Sequence, residues 1–248
     1  MASTWREQQE IPAPPGAVSG KSFGTAVAVS GNTAVIGDFV ALMGTQPRGA
    51  AYIFVRNSAG VWTKTQVLRA SDVVLHDHFG QAVSVDGDTA VIGAIWAACV
   101  FVRSNGVWTQ QQKLTASDAA TGDGFGSAVS VSGDTVLIGA GRKNVDSHIS
   151  EGAAYVFVSS GGVWTQQQEL NESGAQEDYF GWSVSLNGDS ALSGTPGKSN
   201  INPWERCVRV CPKITPRARY RKSISSCESQ RTKQEMAFVA ALAYAAAQ

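Results

Sequence analysis

A single phrase recurs along this chain. The stretch 125–140, FGSAVSVSGDTVLIGA, followed after a loop by EGAAYVFVSSGGVWTQQQEL at 151–170, has near copies beginning at Phe79 and Phe23 and an altered copy beginning at Phe180. The starts lie roughly 46–56 residues apart, at or slightly above the repeat lengths of propeller blades. A unit of that size cannot cover its own apolar faces, so each copy must lean on its neighbours.

The period inside the unit decides its class. AVAVS at 26–30, AVSV at 82–85 and AVSVS at 128–132 alternate with period two and are β-branched, which predicts strands. Each is followed by a glycine and an amide or acid: Gly31-Asn32, Gly87-Asp88, Gly133-Asp134 and, in the altered copy, Gly188-Asp189. Glycine enters φ > 0 without steric cost, so these pairs predict two-residue hairpin loops of the primed type. A second strand (TAVIG, TAVIG, TVLIG) follows, then a loop of variable length and a near-continuous apolar third strand (AAYIFVR, AACVFVR, AAYVFVS). A second glycine turn leads to a fourth strand headed by Trp62, Trp108 or Trp164. Four antiparallel strands per copy with no helix between them predict an all-β fold of propeller-type blades. The apolar third strand fits a sheet covered on both faces, and the recurring tryptophans read as blade-to-blade packing.

The phrase FGxAVxVxGDTxVIGA, with GAAYVFV and GVWTQQQKLTASD after it, resembles the FG-GAP repeat of integrin-α-type β-propellers over roughly residues 5–196. The resemblance implies a closed ring of about seven blades. It also implies adhesion or recognition at a cell surface, and calcium held in a D-x-D-x-D-G-type loop between the first and second strands. The chain departs from that pattern in two places. The Gly-Ala-Pro step reads Gly37-Asp38-Phe39, Gly93-Ala94-Ile95, Gly139-Ala140-Gly141 and Gly194-Thr195-Pro196. The calcium loop has shrunk to Ser30-Gly31-Asn32, Asp86-Gly87-Asp88, Ser132-Gly133-Asp134 and Asn187-Gly188-Asp189. A two-residue turn cannot wrap a cation that needs several converging oxygens, so neither a family-type calcium site nor any cofactor is expected.

The repeats thus account for 1–203, as copies at 23–78, 79–124 and 125–179 and a degenerate copy at 180–203. WREQQEI at 5–11 aligns with WTQQQKL at 108–114, which places an outer strand at the start. It is either a clasp that closes a ring onto the last blade or the remnant of a blade before the first. One outer strand, three full copies and half a fourth fit an open or four-unit arc; blades supplied by another chain are the alternative. Open blade edges invite self-association. MASTWREQQEIPAPP is polar and proline-rich, so no secretory signal is expected, and only the resemblance suggests an extracellular place.

In the stretch 204–248 the composition turns basic over 204–233, where Arg206, Arg209, Lys213, Arg217, Arg219, Arg221, Lys222, Arg231 and Lys233 face only Glu205 and Glu228. This non-repeat tail reads as disordered, with a short helix expected over 233–247. The apolar run 236–247 is too short to cross a bilayer. An abrupt switch of this kind is also what a frame disruption would produce. Cys207, Cys211 and Cys227 fall in the tail, and their disulfide state stays open. Cys99 takes the slot of Tyr52 and Tyr155 in the third strand and reads as a core residue.

Insertions that vary between copies at one topological place mark the loop face, where binding is usually sited. The loop between second and third strands is long in the first copy (38–49), nearly deleted in the second (Ala94-Ile95-Trp96-Ala97) and restored in the third as GRKNVDSHISEG at 141–152. Arg142, Lys143, Asp146, His148 and Glu151 in that loop are the expected ligand-binding residues, against the plain alternative of a solvated loop. No Ser or Cys recurs in a nucleophile elbow or beside a base, so no catalytic residue is expected. His76-x-His78 is at most half of a metal site, which needs three or four converging ligands. GTPGKS at 194–199 lacks the leading glycine of a phosphate-binding loop, because position 192 is Leu.

Net charge is zero, so no global field draws nucleic acid or an anionic membrane. The expected function is a non-catalytic repeat scaffold whose loops bind a protein or glycan. A hydrolase built on a propeller platform and a truncated propeller fragment are the alternatives.

Overall fold

The computed structural model describes residues 6–14, 22–43, 46–72, 77–146, 148–171, 177–197 and 207–212. In the first copy β1 (Val27–Ser30) turns into β2 (Thr33–Asp38), and a small pair, β3 (Leu42–Met43) and β4 (Gln46–Pro47), fills the long loop. β5 (Ala50–Arg56) and β6 (Trp62–Leu68) complete an antiparallel sheet in the order β1-β2-β5-β6. The second blade is β7 (Ala82–Asp86), β8 (Thr89–Ala94), β9 (Ala97–Ser104) and β10 (Val107–Leu114). The third is β11 (Ala128–Ser132), β12 (Thr135–Ala140), β13 (Ala153–Ser160) and β14 (Val163–Leu170), each strand bonded to its sequence neighbour. These are propeller-type blades, and no helix occurs among the described residues.

The fourth blade has β15 (Ser183–Asn187), β16 (Ser190–Thr195) and a third strand, β17 (Cys207–Pro212), paired from Thr195↔Cys207 to Ser190↔Pro212. That strand lies past position 203, where the repeat wording ends. CVRVCP shares neither wording nor pattern with the near-continuous apolar third strands of the other copies, but a ladder asks only for backbone groups in extended conformation. The helix expected over 233–247, together with His76, Cys227 and the basic residues beyond 212, lies outside the described residues.

The hairpins form as the Gly-Asn and Gly-Asp pairs dictate. Gly31, Gly87, Gly133 and Gly188 have φ near +55 (57, 56, 54 and 55°), while the Asn or Asp after each is not in the left-handed region. That is the pattern of the II′ turn, in which only the first central residue needs φ > 0. The turn acids have structural partners: the Asp88 carboxylate takes the Arg103 guanidinium at 2.6 Å, and Asn32 accepts from Arg56 at 2.9 and 3.1 Å.

The core sits between blades. Val91, Ala98 and Val100 of blade two meet Phe125, Val129 and Val131 of blade three. Val35 and Ile53 meet Phe79 and Val85 one junction earlier, and Leu137 and Ala154 meet Phe180 and Val184 one junction later. Trp108 and Trp164 are buried in the first two of these clusters, as blade-to-blade packing requires. Cys99 is buried at the first junction, and the loss of solvation there pushes its thiol up to about 12.

Paired glycines permit the close approach. A Cβ on Gly37 would lie 2.0 Å from the Gly80 carbonyl oxygen, one on Gly93 2.1 Å from that of Gly126, and one on Gly139 2.0 Å from that of Gly181. The FG step of each copy after the first is therefore wedged against the glycine that follows Val-Ile or Leu-Ile in the copy before it.

Two further sets of bonds recur, one at the first two junctions and one at all three. On the outer edge, the Gln66 side chain accepts from the Trp108 N–H (2.9 Å) and donates to its C=O (2.6 Å), and Gln112 does the same with Trp164 (2.9 and 2.8 Å). On the inner edge, the turn amides of Gly87, Gly133 and Gly188 donate to Ser30, Asp86 and Ser132 of the preceding blade. Gln9 forms the same clamp on Trp62 (2.8 and 2.9 Å). Residues 6–14 thus lie over blade one where the outer strand of a preceding blade would lie.

Candidate functional site

The loop at 141–152 is shaped by its own hydrogen bonds and then stapled to the next repeat. Val145 and His148 exchange backbone bonds (3.1 and 2.9 Å) around Asp146, which takes φ +51°, and the Asn144 side chain accepts from the Ser150 N–H at 2.9 Å. The carbonyls of Ile149, Ser150 and Glu151 accept from the amides of Glu177, Tyr179 and Phe180 at 2.8–3.0 Å. The loop is therefore fixed to the start of blade four along its C-terminal half.

This geometry divides the five expected ligand residues. Lys143 and Glu151 are buried. The Lys143 ammonium contacts Asp118 and lies 5.9 Å from the Tyr155 ring centroid, while the Tyr155 hydroxyl donates to the other Asp118 oxygen at 3.0 Å. Glu151 holds the His148 imidazole Nδ1 at 3.2 Å. Arg142 and Asp146 point to solvent and His148 is half-buried. The other described histidine, His78, takes φ +51° just before Phe79 and packs edge-on against Phe39 at 5.3 Å. Its backbone position matches those of Gly124 (φ +72°) and Tyr179 (φ +55°) ahead of the next two FG steps.

Asp118 joins the two buried groups. Burial alone would raise its carboxyl, but the hydrogen bonds from Lys143 and Tyr155 outweigh that and hold it below the ordinary value. Asp118→Asn is expected to cost about 1–2 kcal/mol near neutrality. The ~3–5 kcal/mol of a broken buried pair is discounted because the Asp118 side chain is 42% exposed. A carboxyl depressed in the folded state stabilises above its unfolded pKa and loses that contribution as the pH falls through the folded one. The deficit of the variant is thus full above about pH 4 and shrinks below it. Urea unfolding of both proteins near neutrality and near about pH 3 checks the sign.

What solvent meets beside this loop is an aromatic cleft. Arg142, Tyr179, Trp182, Pro196 and Gly197 line a hollow of about 380 Å³. The Arg142 guanidinium stands 5.8 Å from the Trp182 ring centroid, and Tyr179 meets the same ring edge-on at 5.7 Å. Trp182 is 49% exposed. It follows the FG step in the fourth copy, where the other three carry Thr25, Gln81 and Ser127, so the signal was a departure from the repeat wording.

The FG-GAP repeat model matches four stretches, 5–54, 62–105, 108–157 and 164–203, well over half of the chain. The last three matches begin at the outer-strand tryptophans Trp62, Trp108 and Trp164, so the family's unit straddles a blade boundary and contains the junction described above. No curated protein matches the chain. Among solved structures, the N-terminal domain of Nup159 is similar at 11% identity and a TM-score of 0.40, over 76% of this chain and 44% of that one. With four matched repeats that coincide with its blade junctions, the chain belongs to the FG-GAP repeat family.

Proposed function

We propose that this chain is a non-catalytic FG-GAP scaffold whose loop face binds a protein or glycan ligand, in the manner of adhesion-like recognition. The observation that carries the reading is the exposed Trp182 ring, held between Tyr179 and the Arg142 guanidinium beside a loop stapled to the next blade. A large ring held in one orientation loses little entropy when it stacks on a sugar face or an apolar side chain. The neighbouring guanidinium suits a carboxylate on the same ligand. Both described histidines have structural roles, against Phe39 and Glu151, which favours binding over hydrolysis.

Glycan and extracellular-protein arrays, run beside an esterase, phosphatase and glycosidase panel, test this. Trp182→Ala and Arg142→Ala should each weaken the captured ligand by about tenfold or more, with the unfolding midpoint little changed. A ligand held equally by the Trp182→Ala variant, or turnover that depends on residues of the 141–152 loop, would overturn it.

A further inference from the structure

Both outer faces of the blade stack are open among the described residues, and they are the two halves of the junction that the chain builds three times inside itself. On blade one, Val27 and Val29 are 68% and 66% exposed, whereas their counterparts Val129 and Val131 are buried against blade two. On blade four, Leu192 is 36% exposed, whereas its counterparts Val35, Val91 and Leu137 are fully buried against the following blade. A Cβ on Gly24 would meet nothing within 4 Å, whereas the equivalent Gly80, Gly126 and Gly181 are wedged against the carbonyls of the blade before. The polar groups match as well. Ser84 and Ser130 accept from the amides of Val131 and Leu186, and Ser185 holds the corresponding place on blade four for the Val29 amide of blade one. Asn187 holds the place of Ser30, Asp86 and Ser132 for the Gly31 amide.

The outer strand completes the match. The fourth sheet has the order β15-β16-β17 and no fourth strand among the described residues. Residues 6–14 already lie over blade one in the outer-strand place of a preceding blade, clamped by Gln9 on Trp62, and belong to no sheet. Carrying over the register of β13 and β14 (Ala154↔Leu170, Tyr155↔Glu169) sets the backbone of residues 11 and 10 against that of residues 208 and 209.

We infer that copies of this chain associate head to tail. Blade four of one copy packs on blade one of the next, and residues 6–14 of that next copy add the fourth strand to its neighbour's sheet. This is a heterologous contact, in which each copy uses one face to give and the other to receive. It does not depend on the loop-face ligand.

Light scattering of the full chain over a rising micromolar series is the test. A mass that grows with concentration is expected; a monomer throughout would overturn the inference. Val29→Asp disables the first-blade face and Leu192→Asp the fourth-blade face, both at exposed positions that leave folding intact. Each alone should weaken association by about tenfold or more. An equimolar mixture should form a 1:1 dimer, because each variant keeps the face the other lacks. Failure of the mixture to pair, or association that survives either substitution, would contradict a head-to-tail contact. Amide hydrogen exchange at Cys207–Pro212 should slow when that dimer forms, and an unchanged rate would remove strand donation from the account.

Discussion

Gly126→Ala is expected to destabilise the chain by about 3–5 kcal/mol and lower its unfolding midpoint by roughly 10 °C. Two effects add. Gly126 sits at φ +91°, which an L side chain adopts only at a cost on the order of 1–3 kcal/mol. Its new Cβ would also lie 2.3 Å from the Ala97 carbonyl oxygen and 2.4 Å from that of Ala94. Neither oxygen is the end of a flexible side chain, so blades two and three must move apart, at about 1–3 kcal/mol of lost packing. Gly133→Ala is the control. That glycine has φ +54° but open space around it, so only the local strain applies and the loss should be about 1 kcal/mol. Equal losses in the two variants, measured by urea unfolding, would show that the FG glycine serves its own turn and not the junction.

Phe125→Ala should cost about 3–5 kcal/mol, the range for a large aromatic removed from a close-packed core. Its ring is buried at the second junction and meets Tyr155 and Phe157 edge-on at 5.4 and 6.2 Å. Phe23 begins the same phrase and meets Tyr52 and Phe54 at 5.6 and 6.5 Å, but it lies on the open side of blade one and is half-buried. Phe23→Ala should therefore cost about half as much. In an array whose stability is a sum of units and nearest-neighbour interfaces, one motif is worth more where it has a neighbour on each side. Losses of the same size at both positions would mean that the phenylalanine stabilises its own blade alone.

Strands and hairpins were legible because their signals are local. Alternation over five residues and a Gly-Asp pair are enough to set a strand and its turn, and β1, β7, β11 and β15 lie where those signals put them. The junction was legible only as a need for neighbours. Which glutamine clamps the next tryptophan depends on a one-residue bulge in each outer strand, seen as the register shift between Gln110 and Gln112, and WTQQQ does not announce it. β17 was hidden by composition: arginine and cysteine mark a tail, while the ladder is satisfied by backbone. The site divided along the same line. Lys143 and Glu151 are charged and sit in a loop, so the sequence put them in solvent. Asp118, from the segment that follows the second blade's outer strand, draws Lys143 inward, and no local pattern encodes that meeting. Trp182 was legible in principle, as the odd residue in a place three other copies fill with small or polar side chains.

Each blade is held by the one before it, and the amide of Val131 reports on that hold. It donates across the junction to the Ser84 hydroxyl at 3.0 Å. Val29 holds the same place in blade one, where no described blade precedes it. In dilute, monomeric protein the Val131 and Leu186 amides should exchange slowly, Val29 should exchange fast, and Ser84→Ala should speed Val131 alone. Equal exchange at Val29 and Val131, indifferent to Ser84, would mean that the blades do not hold one another.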